Sequence, residues 1–267
     1  MIRDITIGQY YPAKSPIHRM DPRTKLFGTL IFIISVFLFH SVAGYAVATL
    51  FLAGMIIISQ VPVKFIFKGL KAIFMILMIT MVFNILLTPG EVLWKIGIFK
   101  ITREGISMAV RMAIRLVYLV IGSSIMTLTT TPNQLTDGLE RLLRPLNKLH
   151  VPVHDIAMMM SIALRFIPIL LEETDKIMKA QIARGADFEN GNLIQKAKNM
   201  VPLLVPLFIS AFRRANDLAM AMEARCYHGG DNRTQMKPLT YKKRDHVAYV
   251  VLVAYLAVAI GFRAAGI

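Results

Sequence analysis

Two arginines stand 41 positions apart in nearly identical settings, Ala183-Arg184-Gly185 and Ala224-Arg225-Cys226. Each closes a long helix-coded stretch and has small residues beside it. A guanidinium on a helix end with small flanks can enter a groove and grip a carboxylate with two parallel hydrogen bonds. Gly185 also suits the left-handed residue that closes a helix. Cys226 is small but not glycine, so the second terminator is expected to shift towards Gly229. For either arginine alone a simpler role exists, because a cation in the last turn is favoured by the helix dipole and the open carbonyls. The repetition points outward. Two matching tips, as much as ~45 Å apart along a helix rising 1.5 Å per residue, suit a partner that is itself a two-fold or pseudo-two-fold dimer.

Other residues with chemical potential are less well placed. His150 and His154 have i,i+4 spacing, but Pro152 between them disfavours a shared helical face, and no metal site is expected. Arg111 and Arg115 fall in the outer half of an apolar run. An intramembrane functional role and simple snorkelling to the interface both remain open for them. No Gly-x-x-x-x-Gly-Lys-Ser/Thr loop is present to cradle ATP, and no spacing offers a nucleophile with its base. Hence no catalytic residue and no cofactor are expected.

The elements that must position the arginines follow from composition. Apolar residues make up 55% of 267 positions, more than a soluble domain of this size can bury, so a bilayer is the expected solvent for part of the chain. Lys and Arg number 31 against 16 Asp and Glu. They sit mostly between apolar runs, where anionic lipid and the positive-inside rule explain them and no nucleic-acid partner is needed. The single cysteine allows no intramolecular disulfide. The first 25 residues are polar and broken by Pro12, Pro16 and Pro22, which is not the pattern of a cleavable signal.

A span needs ~20 apolar residues for the ~30 Å hydrocarbon core. The run 26–59 is too long for one and has basic flanks at both ends, so it is expected to be a helical hairpin turning near His40–Gly44. Ala72–Thr88 gives a third span, closed by Pro89-Gly90. The loop after it carries Trp94, expected at the interface, and Lys95, Lys100 and Arg103, against the charge rule. Ile106–Thr130 gives the fourth span and Val247–Phe262 the fifth. The N-terminus is then cytoplasmic and the C-terminus outside. The spans contain no carboxylate, which argues against a proton-coupled secondary carrier, the alternative function weighed for this chain.

The chain is thus read as an all-α integral membrane protein in three parts. Residues 1–130 hold the N-terminal segment and four spans, 131–246 three long cytoplasmic or interfacial helices, and 247–267 the last span. The middle part holds 17 of the 31 basic residues. Its first helix is expected from Pro132 to Arg144, stopping at Pro145. The runs Ile156–Leu171 and Val201–Phe212 are apolar, but the second has only 12 residues. Threading the first would put Lys176, Lys179, Arg184, Lys196 and Lys198 outside. Both are therefore read as interfacial. Glu172/Lys176 and Asp175/Lys179 are expected as i,i+4 pairs.

Five stretches together resemble the transmembrane T component of energy-coupling factor transporters, a branch of the ABC transporters. They are Asp21-Pro22-Arg23-Thr24-Lys25, Thr127-Leu128-Thr129-Thr130-Thr131-Pro132, Leu164-Arg165-Phe166-Ile167-Pro168, Gln181-Ile182-Ala183-Arg184-Gly185 and Ala221-Met222-Glu223-Ala224-Arg225-Cys226-Tyr227. The resemblance implies a non-catalytic subunit of a vitamin or micronutrient importer in the bacterial cell membrane. Its partners would be two ABC ATPase subunits and a substrate-binding membrane S component. Ala183, Arg184, Gly185, Ala224, Arg225 and Cys226 would then dock the ATPases. Met158, Met159, Met160, Pro202 and Pro206 are candidate S-component contacts, since methionine adapts to varied partners.

Overall fold

The first helix starts where its sequence can satisfy the free amides of a helix end. Asp21 accepts from the Arg23 amide and Pro22 fills the first helical position, where no N–H is needed. Ser41 and Thr102 cap two later helices through the amides of Gly44 and Gly105. The structure is a computed structural model describing residues 10–39, 41–96, 99–188, 192–229, 236 and 238–264.

In chain order the elements are α1 (Pro22–Leu38), α2 (Val42–Ser59), α3 (Val63–Leu87), β1 (Val92–Ile96), β2 (Phe99–Thr102), α4 (Arg103–Thr129), α5 (Pro132–Leu143), a 3-10 turn (Arg144–Leu149), α6 (Val153–Ala183), α7 (Leu193–Glu223) and α8 (Lys243–Ala264). The all-α membrane reading holds, with one addition. The loop after α3 pairs as a short antiparallel hairpin, Val92 opposite Thr102 and Ile96 opposite Phe99. The side chains of Trp94, Lys95 and Lys100 lie outside what the structure describes, as does His40.

The helices fall into two compact units, Gly8–Gly138 with Leu239–Ile267 and, separately, Leu139–Pro238. In the first, α4 packs against α1, α2 and α3, and α1 packs against α8. The expected hairpin over 26–59 is present as α1 and α2, with the Phe39 ring over Gly44 at the turn. Its core joins Phe32, Val36, Ala48, Leu52, Ile125 and Ala259, and Phe51 stacks on Tyr255 at 4.4 Å. The Tyr255 hydroxyl is satisfied by Ser35 at 2.7 Å, which keeps a polar tip inside an apolar bundle. α3 starts at Val63, earlier than the apolar run at Ala72, and bends by 56° between its basic first part and its apolar second part.

Among the described residues, four helices are long and apolar enough to cross a membrane, or five if the two parts of α3 count as one span. They include α2, α4, α8 and also α6, whose apolar half runs unbroken into its polar half. α1 has 17 residues, ~25 Å at the helical rise and so short of the ~30 Å core.

The α-helix α5 ends at Leu143, one residue before the expected stop at Arg144, and Pro145 sits in the 3-10 turn that follows. α6 and α7 then run 31 residues each, carrying Pro168 in one and Pro202 and Pro206 in the other.

Candidate docking site

Both arginine tips are closed by the same backbone device. In α6 the Gly185 amide donates to Ile182 at 2.9 Å and the Ala186 amide to Gln181 at 3.0 Å, with Gly185 at φ +90°. In α7 the Cys226 amide donates to Glu223 at 2.8 Å and the Tyr227 amide to Met222 at 3.1 Å, with Cys226 at φ +58°. These are the paired bonds of a Schellman closure, offset by the same 41 positions as the arginines. The terminator therefore does not shift to Gly229. Cys226 itself takes the left-handed conformation, and Gly229 at φ +98° makes a separate later turn. In both tips the arginine immediately precedes the left-handed residue. All six residues of the two tips are exposed, and neither guanidinium pairs with a carboxylate among the described residues.

The second unit sets where the tips point. Gln181 of α6 meets Pro202 of α7, and Glu173 meets Ser210 and Arg214. Position numbers fall on α6 as they rise on α7, so the helices run antiparallel where they touch. Their C-terminal ends, and thus Arg184 and Arg225, lie at opposite ends of the pair. From Pro202, beside the α6 tip, to Glu223 is ~30 Å at 1.5 Å per residue, a tighter separation than the sequence alone allowed.

Two contacts fix this pairing, and sequence reasoning missed both. Pro206 has no N–H to give the carbonyl four positions earlier, so Pro202 is left with an open acceptor. The Gln181 amide fills it at 3.2 Å. The signal was present in the sequence as two prolines four apart. Lower on the pair, the Glu173 carboxylate accepts from the Ser210 hydroxyl at 2.6 Å and from Arg214 at 2.9 Å. Neither expected pair, Glu172/Lys176 or Asp175/Lys179, forms among the described residues, where Glu173–Arg214 is the ion pair of α6 and α7. Asn199 also ties the chain after the α6 tip, reaching the Asp187 carbonyl at 2.5 Å.

The remaining candidates are placed as follows. Met158 is half-buried while Met159 and Met160 are exposed, and three successive residues at ~100° each cannot share one face. Pro202 is exposed and Pro206 half-buried. An apolar stripe of exposed residues on α7 goes further than these: Val201, Leu204, Val205, Phe208, Ile209 and Phe212 follow the helical repeat. His154 pairs with Glu140 at 2.9 Å, and His150 takes a left-handed turn at φ +59°. Arg115 reaches the Phe39 carbonyl at 3.3 Å and lies over the Phe37 ring, so it closes the far end of α1; Arg111 bonds Ser107 on its own helix.

The two motifs nearest the N-terminal half prove to face each other. Lys25 Nζ donates to the Thr129 carbonyl at 2.7 Å, and the Tyr11 amide donates to Leu128 at 2.9 Å. Arg23 forks onto Asp21 and covers the Tyr241 ring at 4.0 Å. Asp245, only 1% exposed, accepts from the amides of Asp21 and Lys242, both at 2.8 Å. His18 Nε2 donates to the Tyr11 carbonyl and Nδ1 accepts from Ser15; burial holds its pKa below the ordinary value, which matches a neutral ring. These residues clasp the starts of α1 and α8 to the end of α4.

Residues 13–236 match the cobalt transport protein family, CbiQ. Three bacterial relatives are each named energy-coupling factor transporter transmembrane protein EcfT. That of Clostridium kluyveri is 56% identical over 97% of both chains. That of Ruminiclostridium cellulolyticum is 54% identical over 96% of both, and that of Bacillus subtilis 48% identical over 99% of this chain and all of its own. The chain belongs to this family. It is a transmembrane component of an energy-coupling factor transporter, a multi-pass membrane protein whose relatives are named as transport components and not as catalytic subunits. Within this family member the sequence motifs divide by position: those around α1 and the end of α4 hold the first unit together, and those ending α6 and α7 present exposed arginines.

Proposed function

We propose that the chain is the coupling subunit of an ATP-driven importer, passing the motion of two ATPase subunits to a substrate-binding S component. The observation that carries this reading is the pair of exposed arginines, each set before a left-handed closure, at opposite ends of antiparallel helices. A dimeric partner with one acidic groove per subunit fits two such tips. Ala183, Gly185, Ala224 and Cys226 keep the surroundings of each guanidinium low enough for it to enter. The locks between α6 and α7 favour transmission, because a pull on either tip reaches the other helix through Gln181 and Glu173.

Residues 1–130 and 247–267 serve as the membrane anchor and 131–246 as the coupling segment. Basic flanks favour a cytoplasmic N-terminus, an extracellular C-terminus and an interfacial α6, whose exposed Arg165 suits protein or head groups better than hydrocarbon. The apolar stripe on α7, with Met159, Met160 and Pro202 as further candidates, is the S-component surface in this reading. The cargo is a vitamin or another micronutrient.

The test is co-purification of ATPase subunits with the double variant Arg184→Glu/Arg225→Glu, together with ATP-driven uptake in vesicles. Each reversal is expected to lower recovery at least tenfold, and the double to abolish uptake while the chain stays membrane-inserted. Full assembly and uptake by the double variant would refute docking through these residues.

A further inference from the structure

The first unit holds a cavity of about 440 Å³ among α1, α2, α4 and α8, within the ~300–1,000 Å³ common for small-molecule sites. Its walls are apolar, formed by Phe32, Leu52, Met55, Ile125 and Leu252, with Gly28 and Gly122 widening it. All these residues lie towards one end of the bundle, where α1 and α8 begin and α2 and α4 finish. The cavity is therefore confined to one half of the bilayer's thickness. The exposed side chains Ile58, Val247 and Val251 line it, marking an opening between α2 and α8.

Three basic residues, Lys25, Lys243 and Arg244, contribute to its lining, at the end where α1 and α8 begin. Lys25 directs its ammonium at the Thr129 and His18 carbonyls, so it serves the fold. Lys243 and Arg244 form no ion pair among the described residues, and Lys243 is exposed. Asp245 accepts from two backbone amides and Asp21 pairs with Arg23; against these two acids stand Arg23, Lys25, Lys243 and Arg244, so positive charge is in excess here. An apolar slot at one end of the bundle, with basic residues in excess over acidic ones where α1 and α8 begin, matches one kind of ligand.

We propose that this cavity seats an acyl chain of an anionic phospholipid whose phosphate is held by Lys243 and Arg244. Burying the chain supplies the apolar part of the affinity, and the two cations select a negative head group over a zwitterionic one. A lipid wedged there fills the gap beside the clasp that joins α1, α4 and α8. The proposal requires only the membrane location of the chain, not the ATPase docking.

The experiment is native mass spectrometry of the full chain, with whatever subunits co-purify, extracted in mild detergent and titrated with dioleoylphosphatidylglycerol or dioleoylphosphatidylcholine. One phosphatidylglycerol is expected to bind much more tightly than phosphatidylcholine. Lys243→Gln/Arg244→Gln should weaken it about thirtyfold, roughly fivefold for each charge near a lipid surface. Ala248→Trp, on the cavity wall, should block both lipids while leaving the two cations in place. Equal binding of the two lipids, or unchanged phosphatidylglycerol binding by the double Gln variant, overturns the proposal. So does a photo-crosslinker at Ile58 that captures a protein segment and no lipid.

Discussion

Each arginine owes its placement to the residue after it. The chain turns back at the left-handed position, so the preceding side chain is left projecting from the tip. At Gly185 this conformation is free of strain, and a Cβ there would meet nothing within 4 Å. At Cys226 a real Cβ occupies the same backbone state, which costs about 1 kcal/mol. Cys226→Gly is thus expected to strengthen the end of α7, and Gly185→Ala to weaken that of α6 by a similar amount. Hydrogen–deuterium exchange at Tyr227 and Ala186, whose amides make the long closure bonds, should slow about fivefold in the first variant and quicken as much in the second. Unchanged exchange in both would mean that the closures do not limit opening.

At the scale of elements, the pairing of α6 with α7 depends on a carbonyl that proline sets free. Gln181→Leu should destabilise the pair by about 1 kcal/mol, since it removes one hydrogen bond and strands the Pro202 carbonyl. In a Pro206→Ala background the helix regains its own donor for that carbonyl, and the same Gln181→Leu change should become nearly neutral. A double-mutant cycle on thermal unfolding in detergent measures this coupling; additive effects would show that Gln181 acts elsewhere. The Glu173–Arg214 pair is partly exposed, at 23% and 42%, and by comparison contributes less than about 1 kcal/mol through charge. Its use is to set register.

For the whole molecule, the consequential contact joins residues 224 positions apart, Asp21 and Asp245. Asp245 is buried, and its two oxygens satisfy two amides that would otherwise be stranded. Asp245→Ala should lower stability by about 2 kcal/mol, and Asp245→Asn by less because one acceptor remains. Thermal unfolding of the purified chain reads the difference. Protease sensitivity in residues 10–21 should rise with it, as the N-terminal segment loses its anchor. Equal stability of Asp245→Ala and the parent chain would refute the clasp.

Sequence alone settled what a short window can encode. Apolar length and basic flanks gave the helical hairpin over 26–59, and small residues beside two arginines marked the helix ends, because both signals are local. The family was also legible, since its motifs are short and nearly contiguous. Tertiary structure decided the rest. Cys226 was expected to pass its role to Gly229, but the closure bonds around it hold it in the conformation a glycine would take. Glu173, a member of neither expected i,i+4 pair, meets Arg214 because α7 lies alongside, and no i,i+4 rule can see a second helix. The opposed directions of Arg184 and Arg225 come from antiparallel packing, which two identical motifs cannot specify by themselves. Asp21 and Asp245 look like ordinary charges until the fold brings their backbone and carboxylate together, because hydrogen-bond demand is a property of burial and not of sequence.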